Sequence, residues 1–132
     1  MMFEAICPGL KGEVRLVVGL EHTAKHLGSG GAQVLATPQM VLLMERAGVA
    51  AVDRLLPEGY RTVGAHLDVR HLAPTPVGLE VVATAELVEV QGRRLVFHVQ
   101  AHDGVELVGE GTHQRAIIDV QRFAERVAQK SR

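Results

Sequence analysis

The sequence predicts an α+β fold in which one long helix is held against a curved antiparallel sheet, and three observations point there. A single segment, Pro38 to Leu56, is apolar on nearly every side and has helix start and stop signals; one strand-like stretch precedes it, and four alternating stretches follow it. Apolar residues make up 47% of the chain and aromatics only 3%, so the core must be built from Val, Leu, Ile and Ala. That composition suits a Val-rich sheet packed on an Ala-rich helix.

The first strand runs from Lys11 to Gly19, where Val14, Leu16 and Val18 alternate with Glu13, Arg15 and Val17. His22 to Gln33 contains Gly28-Ser29-Gly30-Gly31 and reads as a flexible loop able to move as a lid. Thr37-Pro38 is a helix start, in which threonine can cap the first amides while proline takes the first helical position. The helix then runs to Leu56, where Pro57 ends it and Glu58-Gly59 continue as loop. Its polar residues Gln39, Arg46, Asp53 and Arg54 cluster on one side, so the helix is expected to be mostly buried.

Strands follow at Arg61 to Leu72, Gly78 to Val90, Arg94 to His102 and Val105 to Val120. Hairpin-like connections join them at Pro74-Thr75-Pro76, Gln91-Gly92 and Asp103-Gly104. Gln121 to Arg132 is either a short helix or a frayed tail. With no internal repeat or linker, residues 1–132 read as one domain. A single sheet of this kind leaves edges and one face uncovered, so self-association is expected.

Bulk composition narrows the function classes. The formal charge of -1, from 14 Lys+Arg against 15 Asp+Glu, gives no reason to expect a nucleic-acid partner. Cys7 is the only cysteine, so no intrachain disulfide can form and a reducing compartment fits. The start Met1 to Leu10 has no basic region ahead of a long apolar stretch, and no run approaches the ~20 apolar residues of a membrane span. A cytoplasmic protein without a membrane partner is expected.

Glu45 is the most telling residue. Val41, Glu45, Gly48, Val52 and Leu55 follow the spacing of one helix face, which places a carboxylate inside an apolar stripe. Burying it requires a partner, a raised pKa or access to a substrate. A core arginine or histidine, or a subunit boundary, would satisfy it equally well. Thr37 lies roughly two turns, ~12 Å of rise, before it, so the two can touch one substrate without touching each other. As a bare residue Thr37 reads first as a cap, and its hydroxyl or the adjacent amides can also meet an oxygen that gains charge.

His71 shares a strand face with Ala65, Leu67 and Val69, while Gly64, His66, Asp68 and Arg70 share the other. A histidine at the exit of a core-facing row is placed to move protons near neutral pH, or simply to bond a backbone carbonyl. The pairs His22/His26 and His98/His102 lack a third ligand at metal-site spacing, so no metal is expected. His98, Gln100 and His102 read as a solvated strand face. Ser29 lacks the surroundings of a nucleophile elbow, and its loop lacks the ending of a phosphate loop.

Ala36-Thr37-Pro38, Met44-Glu45, the run Arg70 to Gly78 and the run Gly111 to Arg115 together resemble the fluoroacetyl-CoA thioesterase family, over about Gly12 to Ile118. The resemblance implies a hot-dog fold that forms a homodimer, or a dimer of dimers, and hydrolyses an acyl-CoA thioester with Thr37, Glu45 and His71. It further implies that Gly64 and Arg115 bind substrate. No metal or bound cofactor is implied; coenzyme A enters as part of the substrate. Glu45 would attack the carbonyl to give a mixed anhydride or act as base for water, with His71 moving protons and Thr37 polarising or positioning the acyl group. The fluoroacetate-selective member carries bulky aromatics in the lid and beside the ThrPro step, where this chain has Gly30, Gly31 and Gln39. A different acyl group is therefore expected.

Two other readings stand beside this one. A hot-dog dehydratase would also bind acyl thioesters, although the spacing from ThrPro to Glu45 argues against it. A non-catalytic acyl-CoA binding module would keep the fold without turnover, although it would have no need for all three polar residues.

Overall fold

The computed structural model describes residues 2–131. The chain runs β1 (Lys11–Val17), α1 (Ala24–Leu27), α2 (Thr37–Val52), β2 (Tyr60–His71), β3 (Glu80–Gln91), β4 (Arg94–His102), β5 (Leu107–Asp119) and α3 (Val120–Gln129). The strands form one antiparallel sheet in the order β1-β3-β4-β5-β2. The sheet curls around α2, as the sequence predicts.

Alternation builds the core. Val81, Ala83, Ala85 and Leu87 of β3 and Leu95, Phe97, Val99 and Ala101 of β4 are buried, facing Met40, Leu43, Met44, Ala47 and Ala51 of α2. Each large side chain buried this way contributes about 1.5–3 kcal/mol. Gly12 lets β1 press against the helix backbone, because an added Cβ would fall 2.1 Å from the Ala47 carbonyl oxygen. The opposite faces of β3 and β4 carry Thr84, Glu86, His98, Gln100 and His102 beside Val82 and Val96, with His98 and His102 exposed as expected.

Several expectations change. The segment from His22 to Gln33 is not all loop: a 3-10 turn spans Leu20–His22 and α1 spans Ala24–Leu27, capped by the Thr23 hydroxyl, before the glycine run begins. The regular helix stops at Val52 and a 3-10 turn over Asp53–Leu55 finishes the helical stretch ahead of Pro57. Only β3–β4 and β4–β5 are hairpins. From β2 the chain crosses the sheet to reach β3, because β2 pairs with β5 while β3 pairs with β1. The tail forms α3, started by the Asp119 carboxylate, which accepts from Arg122 N.

The β2–β3 crossover is pinned from within. Thr75 and Asp103 are both buried, and the Thr75 hydroxyl donates to Asp103 at 2.9 Å. Asp103 also accepts from Val105 N and Glu106 N, each at 3.0 Å. Burial pushes this carboxyl up, but the bonds from Glu106, Val105 and Thr75 together outweigh it and hold the pKa below the usual aspartate value. Leu35 N in turn donates to Thr75 O at 2.8 Å, so the same anchor fixes the approach to α2. Among the described residues no helix is long and apolar enough to cross a membrane.

Candidate active site

The start of α2 differs from its sequence reading in a way that matters for Thr37. Ala36, extended at φ -71° and ψ 142°, is the N-cap, and no side chain caps the helix. Thr37 is thus the first helical residue and Pro38 the second. Freed from capping, the Thr37 hydroxyl oxygen lies 2.7 Å from His71 Nδ1, at the last residue of β2. Around this pair an open cleft is lined by Ala24, Ser29, Val34, Leu35, Leu72, Ala73 and Pro74, which brings the glycine-rich loop to its rim.

His71 is half-buried, and its Nε2 is buried with no hydrogen-bond partner among the described residues. Burial pushes the imidazole below its ordinary pKa, partly offset by the Ala73 backbone. A neutral ring with one nitrogen engaged by a hydroxyl is suited to carrying a proton.

Glu45 sits differently from the sequence expectation. Of the face expected to carry it, Gly48 and Val52 are buried and Val41 is half-buried, but the buried set of α2 also takes in Met40, Leu43, Met44, Ala47 and Ala51, which leaves Glu45 half-buried at its margin. Leu42 and Val49, on the face opposite the buried set, are apolar yet exposed, and they blur its phase in the sequence. Glu45 makes no direct hydrogen bond or ion pair among the described residues. Its Oε2 reaches over Gly64, where an added Cβ would lie only 2.8 Å away.

Gly64 also lies on a face other than the one strict alternation gives. A bulge between Gly64 and His66 sets Ala65 outside the pairing, so Thr62 and Gly64 join Leu67, Val69 and His71 on the helix side. Gly64 pairs across the sheet with Arg115. Arg115 is buried: its Nε donates to Thr62 Oγ1 at 2.8 Å and its Nη2 to Thr62 O at 3.1 Å. The Thr62 hydroxyl donates onward to Asp53 at the end of α2. Burial draws the guanidinium below its usual pKa, and Asp53 and Glu45 oppose the shift. Gly48, one turn after Glu45, makes room for this arginine, since a Cβ there would sit 3.1 Å from Arg115 Cδ.

The structure therefore gathers the expected residues into two groups, Thr37 with His71, and Glu45 with Gly64 and Arg115. No hydrogen bond or ion pair joins the two groups among the described residues. It also reveals a residue that the sequence reading passed over: His113, fully buried, with Nδ1 2.9 Å from His66 O and Nε2 3.1 Å from Arg115 Nη1. Its alternation with Arg115 and Ile117 was the available signal. No group of three or more His, Cys, Asp or Glu among the described residues is arranged to hold a metal. A separate cleft lined by Lys11, Glu13, Thr84, Glu86, His98 and Gln100 lies on the outer face of the sheet, away from both groups.

Comparison with known proteins identifies the family and the fold. Residues 18–121 match the model of the fluoroacetyl-CoA-specific thioesterase family. The fluoroacetyl-CoA thioesterase of Streptantibioticus cattleyicolor is 48% identical over 99 residues, covering 75% of this chain and 71% of that protein. A threonine-to-serine variant of the fluoroacetyl-CoA enzyme, solved with acetyl-CoA, superposes with a TM-score of 0.90 at 40% identity, covering 96% of this chain and 100% of that one. A thioesterase superfamily member from Thermus thermophilus superposes with a TM-score of 0.88 at 27% identity, over 96% and 93% of the two chains.

Proposed function

The chain belongs to the fluoroacetyl-CoA-specific thioesterase family and is an acyl-CoA thioesterase, and on that premise we propose that Thr37, Glu45 and His71 carry its reaction, with Gly64 and Arg115 beside the bound thioester. The overall step is hydrolysis. Oxygen adds to the acyl carbon, the carbon–sulfur bond breaks, and free acid and the coenzyme A thiol are the products.

The observation that carries the site assignment is the 2.7 Å contact between Thr37 Oγ1 and His71 Nδ1, with His71 Nε2 left unpartnered beside a cleft. His71 in its neutral form accepts and returns the proton, and Thr37 polarises or positions the acyl group. Glu45 delivers the attack, either directly to give a mixed anhydride or by activating a water. Arg115 provides a fixed positive charge next to it. No bound cofactor is invoked, and coenzyme A arrives with the substrate.

The proposal includes a homodimer joined along β2. That strand is one of the two edges of the sheet, twelve residues long, with Leu67 exposed. It bears both His71 and Gly64, so a partner there would lie against both groups of the site. Sedimentation as a dimer at micromolar concentration is expected, and a monomer throughout would contradict this part. The cytoplasm is the proposed location.

The acyl group is proposed to differ from fluoroacetyl; the resemblance supports this, since it implies bulky aromatics in the fluoroacetate-selective relative where this chain has Gly30, Gly31 and Gln39. Thiol release measured over short, branched, aromatic and long acyl-CoAs tests the function. Release from a non-fluorinated member of the panel is expected; no release from any thioester would refute the enzyme.

A further inference from the structure

His113 has no role in the reaction as described, yet both of its ring nitrogens are committed. Nδ1 lies 2.9 Å from the His66 carbonyl oxygen, and Nε2 lies 3.1 Å from Arg115 Nη1. A carbonyl only accepts and a guanidinium only donates. One state satisfies both contacts: the neutral ring with its proton on Nδ1. A protonated ring would turn a second donor toward Arg115 and set two cations in contact.

Arg115 is fixed on its other side by Thr62, through Nε at 2.8 Å and Nη2 at 3.1 Å. That leaves Nη1 as the free corner of the guanidinium, and His113 is its hydrogen-bond acceptor. Nη1 is thereby presented over Gly64, where an added Cβ would lie 3.6 Å from Nη1 and 2.8 Å from Glu45 Oε2. The space without a side chain thus borders both the carboxylate and the guanidinium.

We propose that His113 is a positioning residue for thioester hydrolysis, which as its neutral Nδ1–H tautomer orients Arg115 Nη1 toward the open space above Gly64, beside Glu45. This rests on the reading of Glu45 and Arg115 as site residues. The charged and titratable groups facing His113 are Arg115 on the same strand, Glu45 on α2 and His66 on β2. Burial is the largest influence and disfavours the imidazolium, the His66 backbone opposes it, Arg115 adds to it and Glu45 opposes it. Burial thus favours the neutral ring that the two contacts require, and protonation in acid would break the Arg115 contact.

The test compares wild type, His113→Gln and His113→Leu at pH 8, using an acyl-CoA that wild type turns over, together with imidazole nitrogen NMR of the wild-type protein. The spectrum is expected to show His113 neutral with its proton on Nδ1. His113→Leu is expected to lose about ten- to a hundredfold in kcat with KM changed less than about threefold. His113→Gln, whose side-chain carbonyl can accept from Nη1, is expected to recover to within about fivefold of wild type. A proton on Nε2 at neutral pH, a folded His113→Leu with wild-type kcat, or a folded His113→Gln as impaired as the leucine variant would each overturn the proposal. Should His113→Leu fail to fold, the glutamine variant and the spectrum decide, with more than about a tenfold loss in folded His113→Gln counting against it. Inactivity of wild type toward every thioester would instead refute the enzyme reading, and the tautomer would still be decided by the spectrum.

Discussion

Thr37 Oγ1 and His71 Nδ1 lie 2.7 Å apart, tying the first residue of α2 to the last residue of β2. The hydroxyl that the sequence suggests as a cap is instead committed to an imidazole, and this separates the effect of Thr37 on stability from its effect on activity. Thr37→Ala should cost less than the ~1 kcal/mol of a lost helix cap. Thiol release should fall about ten- to a hundredfold, and Thr37→Ser should retain most of it. Thermal melting and kinetics on the same preparations check both halves.

His71 sets an expectation for pH. Burial lowers its pKa from 6.5, so the working neutral form persists on acidification past the ordinary histidine range, and kcat/KM should hold level until a lower pH. The linkage to stability has a definite sign. His71 and His113 are both lowered, so the unfolded chain takes up protons first as pH falls through 6.5. Stability should therefore fall below that pH and be restored above it, which urea midpoints at pH 7.5 and 5.5 would display.

Asp103 contributes in a more acidic window. Its pKa is held below 3.8, so its stabilisation is present above that value and is lost as pH falls toward the folded-state pKa. Asp103→Asn keeps the shape and weakens the charge-assisted bonds from Thr75, Val105 and Glu106. A loss of about 1–3 kcal/mol in denaturant unfolding is expected.

Gly64→Ala should damage activity more than folding. The new Cβ would fall 2.8 Å from Glu45 Oε2 but no closer than 3.5 Å to His113 and Arg115, so the carboxylate at the end of a flexible side chain is what must move. At least about a tenfold drop in kcat with little change in melting temperature is the expected outcome.

Much of the fold is legible in the sequence because alternation and turn chemistry act locally. The β4 boundaries, Arg94 and His102, are readable from Gln91-Gly92 and Asp103-Gly104, and from the Leu95, Phe97, Val99 set. Non-local features were not legible. Pro74 and Pro76 announce a break, but nothing nearby says that β3 will pair with β1 rather than β2. The bulge at Ala65 moves Gly64 to the helix side with no Pro or Asn to mark it. Glu45 was legible in part: Gly48 and Val52 of its expected face are buried, but Leu42 and Val49 are apolar and exposed, so the wheel set the carboxylate nearer the centre of the buried face than it lies. His113 was missed because β5 carries polar residues on both faces, Thr112 and Gln114 on one and His113 and Arg115 on the other.

The central claim, that Glu45 delivers the attack on an acyl-CoA thioester, is tested most directly by thiol release from Glu45→Gln beside wild type. Glu45 has no direct partner among the described residues, so the variant should melt as wild type does. Its turnover should fall at least about a hundredfold. A folded Glu45→Gln protein that releases thiol at the wild-type rate would contradict the assignment.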